Sequence, residues 1–217
     1  MNIPRTVSGR TVTNRGVHAH PFGFHGNWLP GADYWMTLMR SMHMSWMVVC
    51  AEGDSVTRAY DNIGGRSVVQ LLMDNGIIPL VRYQCKLDRP FYDMPHVEEL
   101  VRQSEKYGVR PFVLLGNEPA DIREWTNKKR PRDWMERYCS WFARYSNDVI
   151  NAGAHAGFAD APVYSRDPFP MMESTWQNWD AEKCFFAYHL YGLNRPPMYP
   201  YDSVAQHGEP LVTEADL

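Results

Sequence analysis

The sequence has few of the features that mark disulfide-rich, metal-binding or membrane proteins. Its four cysteines show no CxxC spacing, and three lie in or beside predicted strands, so we expect free thiols and no metal site. No stretch approaches the roughly 18 apolar residues of a membrane span. The N-terminus has no basic segment followed by an apolar run. We therefore expect no membrane partner, and either a cytoplasmic protein or a secreted one whose signal is absent from this chain.

An excess of charge of one sign is also missing. The 22 basic and 25 acidic residues leave a formal charge of −3, which provides no electrostatic footprint for nucleic acid. The short basic run at 127–132 precedes a predicted helix, and we interpret it as a solvated loop. No glycine-rich phosphate loop follows the first predicted strand. We therefore expect neither a nucleic-acid partner nor a cofactor.

Aromatic residues, in contrast, are abundant at 13% of the 217 residues. Most aromatic side chains fill protein cores, but a flat indole ring also stacks well on the face of a pyranose. The best candidates for sugar contact are tryptophans that follow predicted strands, because the binding loops of a parallel barrel lie there. These tryptophans are Trp28, Trp125, Trp176 and Trp179.

Apolar strand-like runs alternate with amphipathic helical segments along the chain. Strands are predicted at 16–22, 46–51, 77–84, 109–116, 155–159, 184–192 and 209–216. Helices are predicted at 31–45, 67–75, 96–107, 132–152, 171–180 and 201–207, the first with Trp35, Leu38, Met39 and Met42 on one face. This alternation predicts an α/β fold of the TIM (β/α)8-barrel type rather than a doubly wound sheet. Residues 1–217 are interpreted as one catalytic barrel domain.

The number of predicted strands is one short of a closed barrel. The chain stops directly after the seventh strand, whereas an ordinary barrel has eight strands and about 250 residues. An open sheet edge at that position would be prone to pairing with other chains. Two explanations stay open: the barrel is truncated and its C-terminal unit is missing, or a partner chain completes it.

Two of the predicted strands end abruptly in a glutamate. Glu118 follows the apolar run at 113–116, and Glu214 follows the run at 210–213. Parallel barrel strands deliver such side chains to one rim, where two carboxyl groups about 5 to 5.5 Å apart carry out retaining glycoside hydrolysis. That chemistry requires one carboxyl that stays protonated near neutral pH and one that stays ionised. The two glutamates are therefore the candidate catalytic pair.

The residues at three strand ends also resemble a known group of enzymes. Asn117-Glu118-Pro119 ends the fourth predicted strand, His189-Leu190-Tyr191 ends the sixth, and Glu214 ends the seventh. In type, order and spacing they resemble the clan A (β/α)8-barrel glycoside hydrolases, which include the family 5 cellulases and mannanases. The resemblance covers almost the whole chain, but only about ten residues are motif-like.

The resemblance implies a role for each matching residue. Glu118 would be the general acid/base and Glu214 the nucleophile of a two-glutamate double displacement. Asn117 would bind the sugar 2-hydroxyl, while His189 and Tyr191 would contact the nucleophile and the substrate. The expected function is hydrolysis of β-glycosidic bonds in a polysaccharide or oligosaccharide, with carbohydrate as the substrate.

Two further polar residues are candidates for substrate binding. Arg82, on the third predicted strand, is the nearest equivalent of the arginine that the resembled family carries on its second strand. His20 ends the first strand and projects to the same side as His18, because side chains alternate along a strand. We predict that Arg82 and His20 line the same pocket as the glutamates.

Two other functions stay open. His18, His20, His155, His189 and Asp216 resemble the metal-ligand set of amidohydrolase barrels, in which imidazoles and a carboxylate hold ions that activate water. A non-catalytic barrel that binds carbohydrate or serves in assembly is the other alternative.

Overall fold

The computed structural model describes residues 3–18, 32–52, 62–63, 66–117, 119, 121–159 and 183–187. The predicted helices at 171–180 and 201–207 and the predicted strand at 209–216 lie outside these residues. The site residues that were predicted at the ends of the sixth and seventh strands also lie outside them.

Strands and helices alternate through the described part of the chain. The strands are β1 (Thr6–Val7), β2 (Arg10–Thr11), β3 (Gly16–His18), β4 (Trp46–Glu52), β5 (Asn62–Ile63), β6 (Arg66–Ser67), β7 (Ile78–Gln84), β8 (Phe112–Leu115), β9 (His155–Ala159) and β10 (Cys184–Ala187). The helices are α1 (Ala32–Ser41), α2 (Val68–Asp74), α3 (Met94–Glu105) and α4 (Trp134–Asn151). Two short 3-10 turns, Ile122–Glu124 and Thr126–Lys128, follow β8.

Six of these strands form one parallel sheet in the order β3-β4-β7-β8-β9-β10. Each strand pairs in parallel with the sheet strand that precedes it in the chain. Because the order never reverses, right-handed crossovers put successive helices on the same face of the sheet, as in a barrel. A doubly wound sheet reverses at a switch point instead. The fold is therefore of the TIM-barrel type, as the sequence predicts.

The first helix departs from its prediction. It ends at Ser41 rather than at residue 45, and His43 in the turn that follows has a left-handed backbone with φ of 52°. Met36 and Met39 are buried, while Met42 is 46% exposed because it lies beyond the helix end. The predicted apolar face is therefore correct for Met39 and wrong for Met42. The side chain of Trp35 is outside the described set.

A short hairpin formed by β1 and β2 was not predicted. It packs on the turn between α2 and β7, where Ser8 Oγ donates to the Met73 carbonyl at 2.7 Å. Arg10 Nη1 donates to the Asn75 carbonyl at 2.7 Å. Because this turn precedes β7, the hairpin covers the N-terminal edge of the sheet and leaves the opposite rim to the βα loops.

Two further expectations concern cysteines and membranes. Cys139 and Cys184 are buried free thiols, as predicted, and Cys85 is a half-buried free thiol. The side chain of Cys50 is not described. In the part of the chain that the structure covers, no helix is both long and apolar enough to cross a membrane.

Candidate active site at the C-terminal rim

Two predicted site residues meet where β7 and β8 end. Arg82 lies near the end of β7, and Asn117 follows β8 by two residues. Arg82 Nη1 donates a hydrogen bond to Asn117 Oδ1 at 2.7 Å. Arg82 is only 8% exposed, so its charge is held inside the protein. Active sites of TIM barrels lie at this end of the strands.

A third residue, which the sequence analysis did not select, joins this pair. Glu124 closes the 3-10 turn Ile122–Glu124 in the loop after β8. Its Oε1 atom accepts a hydrogen bond from Asn117 Nδ2 at 3.3 Å, and the residue is only 2% exposed. Arg82, Asn117 and Glu124 therefore form a continuous hydrogen-bonded chain across the rim.

The environment of Glu124 changes its acid–base chemistry. Burial raises the pKa of its carboxyl to about 7, although the Asn117 hydrogen bond and the Lys86 ammonium act in the opposite direction. Burial, together with the Glu124 charge, also raises the pKa of the Cys85 thiol, which keeps Cys85 protonated. The rim thus contains a buried carboxyl that titrates near neutral pH.

The turn that carries Glu124 has a recognisable cause in the sequence. The Asp121 side chain accepts a hydrogen bond from the Arg123 N–H at 2.7 Å and so caps the turn. An aspartate three residues before a glutamate is the start signal of a helical turn. This signal predicts the turn, but the sequence contains no sign that Glu124 is buried.

The loop after β8 is held by the loop after β7. Leu87 N–H donates to the Glu124 carbonyl at 2.9 Å, and Thr126 N–H donates to Asp88 Oδ1 at 3.1 Å. Arg89 Nε also donates to Thr126 Oγ1 at 3.0 Å. These contacts hold the backbone of Glu124, so its side chain enters the rim from a fixed position.

The strand ends beneath the site are joined by Tyr138 of α4. Its fully buried hydroxyl donates to the Leu115 carbonyl at 3.1 Å and accepts from the Ala159 N–H at 2.8 Å. Leu115 ends β8 and Ala159 ends β9. Gly116 then has φ of +85°, a conformation suited to glycine, and the chain turns there towards Asn117.

Trp125 was predicted to contact sugar, and its position in the structure does not allow this. Its side chain is fully buried, and its indole N–H donates to the Pro119 carbonyl at 2.9 Å. A buried ring offers no face on which a sugar can stack. We therefore correct the prediction: Trp125 fastens the loop after β8 to its own beginning instead of contacting substrate.

Several predicted site residues lie outside the described part of the chain. These are Glu118, Glu214, His189, Tyr191, His20, Trp28, Trp176 and Trp179, together with Asp216 of the alternative metal set. His18 is the last residue of β3, but its side chain is not described either.

His155 lies at the wrong end of the sheet for the metal-dependent alternative. It is the first residue of β9 and pairs with Phe112, the first residue of β8. At about 3.3 Å per residue, it is on the order of 10 to 15 Å from the rim where Asn117 lies. Its ring is buried 4.7 Å from that of Phe112, and burial lowers its pKa to about 4. The prediction of His155 as a ligand at the rim is therefore wrong.

Metal-binding geometry is also missing from the residues that can be placed. Among them, no group of three or more His, Cys, Asp and Glu side chains could hold a metal ion.

Comparisons with known proteins identify similar folds but no family. No protein-family model matches the chain. No curated protein matches it by sequence.

Several solved structures are similar in fold. A D-psicose 3-epimerase from Clostridium cellulolyticum H10, bound to D-tagatose, has a TM-score of 0.47 and 11% identity over 79% of this chain and 62% of its own. A sugar phosphate isomerase/epimerase from Parabacteroides distasonis has a TM-score of 0.45 and 15% identity over 85% of this chain and 68% of its own. A Thermomonospora fusca β-mannanase in complex with mannohexaose has a TM-score of 0.48 and 16% identity over 92% of this chain and 67% of its own. The chain thus spans about three fifths of the epimerase, and similarity at this level does not transfer an activity.

Proposed function

We propose that the protein is a retaining glycoside hydrolase that cleaves β-glycosidic bonds of a polysaccharide or oligosaccharide. The observation that carries the proposal is the hydrogen bond between Arg82 and Asn117 at the C-terminal rim of a parallel sheet. Asn117 immediately precedes Glu118 in the sequence, so the proposed acid/base belongs to a segment that begins at this rim.

The residues on both sides of Glu118 in the sequence are held by hydrogen bonds. Asn117 is bonded to Arg82 and Glu124, and the Pro119 carbonyl accepts from the Trp125 indole. General acid catalysis needs a carboxyl group in a fixed position relative to the leaving oxygen. The two sequence neighbours of Glu118 are therefore each held by hydrogen bonds, which supports this role for Glu118.

The proposed reaction proceeds in two displacements. Glu214 attacks the anomeric carbon while Glu118 donates a proton to the departing glycosidic oxygen, which leaves a covalent glycosyl ester on Glu214. Glu118 then removes a proton from water, the water attacks the anomeric carbon, and the ester bond to Glu214 breaks. Asn117 holds the sugar 2-hydroxyl, while His189 and Tyr191 contact the nucleophile and the substrate.

The remaining predicted contacts belong to the same proposal. His20, Trp28, Trp176 and Trp179 would bind sugar rings in loops at the rim, and Trp125 is no longer included. The proposed ligand is carbohydrate, bound by a single catalytic domain over 1–217.

The test is hydrolysis of a panel of aryl glycosides and polysaccharides by the wild type, Glu118→Ala and Glu214→Ala. Both variants should lose turnover, whereas Glu98→Ala, a control at an exposed position on α3, should keep it. With an activated aryl glycoside, azide should restore Glu118→Ala with retained anomeric configuration and Glu214→Ala with inverted configuration. Full turnover in either glutamate variant would contradict the role given to it.

The same panel separates the alternatives. A metal-dependent hydrolase would lose activity in chelator, whereas the proposed glycosidase should not. Sugar binding without any turnover by the wild type would instead indicate a non-catalytic carbohydrate-binding barrel.

A further inference from the structure

We propose that Glu124 is a positioning residue that fixes the orientation of the Asn117 side-chain amide for the sugar 2-hydroxyl. This inference rests on the proposed function, because it concerns how Asn117 meets its substrate. Neither the sequence motif nor the resemblance to clan A hydrolases assigns a role to Glu124.

The two ends of the Asn117 amide meet partners of opposite hydrogen-bonding character. Arg82 Nη1 donates to Oδ1 at 2.7 Å, and Glu124 Oε1 accepts from Nδ2 at 3.3 Å. A guanidinium can only donate, and the Glu124 carboxylate, when it is ionised, can only accept. A flipped amide would face the guanidinium with its NH₂ group and the carboxylate with its oxygen. Both hydrogen bonds would be lost, so only one orientation is compatible with these neighbours.

Among the residues that the structure describes, the observed orientation leaves Asn117 with unused hydrogen-bonding capacity. A primary amide has two N–H donors and two acceptor lone pairs, and its two partners use one of each. One N–H and one lone pair therefore remain. A sugar hydroxyl both donates and accepts, so it matches this remaining pair.

Burying the Glu124 carboxyl destabilises the fold, and a role in positioning Asn117 explains why a glutamate lies there. The residue is 2% exposed, and its buried Oε2 atom has no hydrogen-bond partner among the described residues. Burying a carboxyl group with an unpaired oxygen is unfavourable, and an apolar side chain would avoid that cost. The backbone of Glu124 is also held by the Leu87 N–H, so its carboxyl is presented to Asn117 from a fixed point.

The test compares an aryl glycoside with its 2-deoxy counterpart. Glu124→Ala should lower kcat/KM for the 2-hydroxy substrate about tenfold, the size expected for one hydrogen bond to a charged group. The loss on the 2-deoxy substrate should be less than about twofold, because that substrate has no group for Asn117 to bind. Glu124→Gln should retain most activity, because its Oε1 atom still accepts from Nδ2.

A double variant shows whether Glu124 acts through Asn117. Asn117→Ala combined with Glu124→Ala should be no slower than Asn117→Ala alone, since the orientation of an absent amide has no effect. Glu98→Ala serves as the exposed control. If Glu124→Ala fails to fold, Glu124→Met gives the same comparison, because it fills the space with a side chain of similar length that accepts no strong hydrogen bond.

The possible failures are distinguishable. Unchanged kinetics of Glu124→Ala on an active wild type, or an equal loss on both substrates, would overturn the positioning role and leave the proposed function intact. Additive losses in the double variant would also overturn it. If the wild type hydrolyses no glycoside, the proposed function fails and the positioning role falls with it.

Discussion

Arg82 and Asn117 are 35 residues apart in the sequence, and a 2.7 Å hydrogen bond joins their side chains where two neighbouring strands end. The arginine is almost completely buried, so its charge is only weakly screened by solvent. Together with Glu124, this pair forms the part of the proposed active site that the structure describes.

Replacing Arg82 should impair the proposed reaction. We expect Arg82→Ala to lower kcat/KM about 10- to 100-fold, because Asn117 loses a charge-assisted hydrogen bond of about 1.5 to 3 kcal/mol. The measurement is steady-state kinetics on the best aryl glycoside. Arg137→Ala is a suitable control, because Arg137 lies on the surface of α4 and pairs only weakly with exposed Asp133. A wild-type rate in Arg82→Ala would show that the pair does not support catalysis.

Glu124 should make the fold less stable as pH rises. Its pKa is about 7 in the folded protein, whereas the ordinary value of 4.5 applies to the unfolded chain. Between these two pH values the folded protein therefore binds more protons than the unfolded chain. The stability contributed by the proton is fully present below pH 4.5 and is lost as pH rises through 7. Arg82 and Lys86 oppose this loss, and Asp121 reinforces it.

Urea unfolding at pH 4 and pH 8 measures this effect. We expect the stability of Glu124→Gln relative to wild type to increase by about 1 to 3 kcal/mol between the two pH values. The reason is that glutamine has no proton to lose in this range. A difference that does not change with pH would mean that Glu124 titrates at its ordinary value.

His155 should have the opposite pH dependence. Its folded pKa of about 4 is below the ordinary 6.5, so its contribution is present above pH 6.5 and is lost as pH falls through 4. We expect the stability lost on acidification to be about 1 to 2 kcal/mol smaller in His155→Leu than in the wild type. Thermal unfolding between pH 4 and pH 7 is the measurement. Identical acid profiles for wild type and variant would contradict burial of a neutral imidazole beside Phe112.

Tyr138 should stabilise the fold through its hydroxyl group. Tyr138→Phe leaves the Ala159 N–H without its acceptor, and we expect a cost of about 1 to 3 kcal/mol in the free energy of unfolding. The matched control is Tyr107→Phe, whose hydroxyl donates to exposed Asp74 and should matter by less than about 1 kcal/mol. Equal losses in the two variants would mean that the hydrogen bonds of the Tyr138 hydroxyl to β8 and β9 do not stabilise the fold.

Strands β8 and β9 of the parallel sheet could be predicted because they are buried on both faces. All four residues of β8 are buried, and all five residues of β9 are buried within the predicted bounds of 155–159. Such strands appear in a sequence as unbroken apolar runs. The hairpin of β1 and β2 has no such pattern, because each strand has two residues and Ser8 and Gly9 form a turn with positive φ. Its stability comes from contacts with the distant α2–β7 turn.

The candidate site could be predicted only in part. Arg82 and Asn117 were selected because the resemblance to clan A hydrolases implies an arginine and an asparagine in the site, and these are the nearest matching residues on the predicted strands. Glu124 was missed because no local pattern marks it as buried, and the contact that holds its backbone comes from Leu87, which is remote in the sequence and belongs to another loop. Trp125 was assigned to substrate for the same reason, since a loop tryptophan has the same sequence pattern whether it packs inward or faces solvent.

The most direct test of the account is to trap the covalent intermediate. Incubation with an activated 2-deoxy-2-fluoro β-glycoside should add one glycosyl group to the protein, detected by intact mass spectrometry. Peptide mapping should locate that group on Glu214, and Glu214→Ala should remain unlabelled. A stable label on any other residue, or no label on a protein that hydrolyses the parent glycoside, would contradict the proposed double displacement.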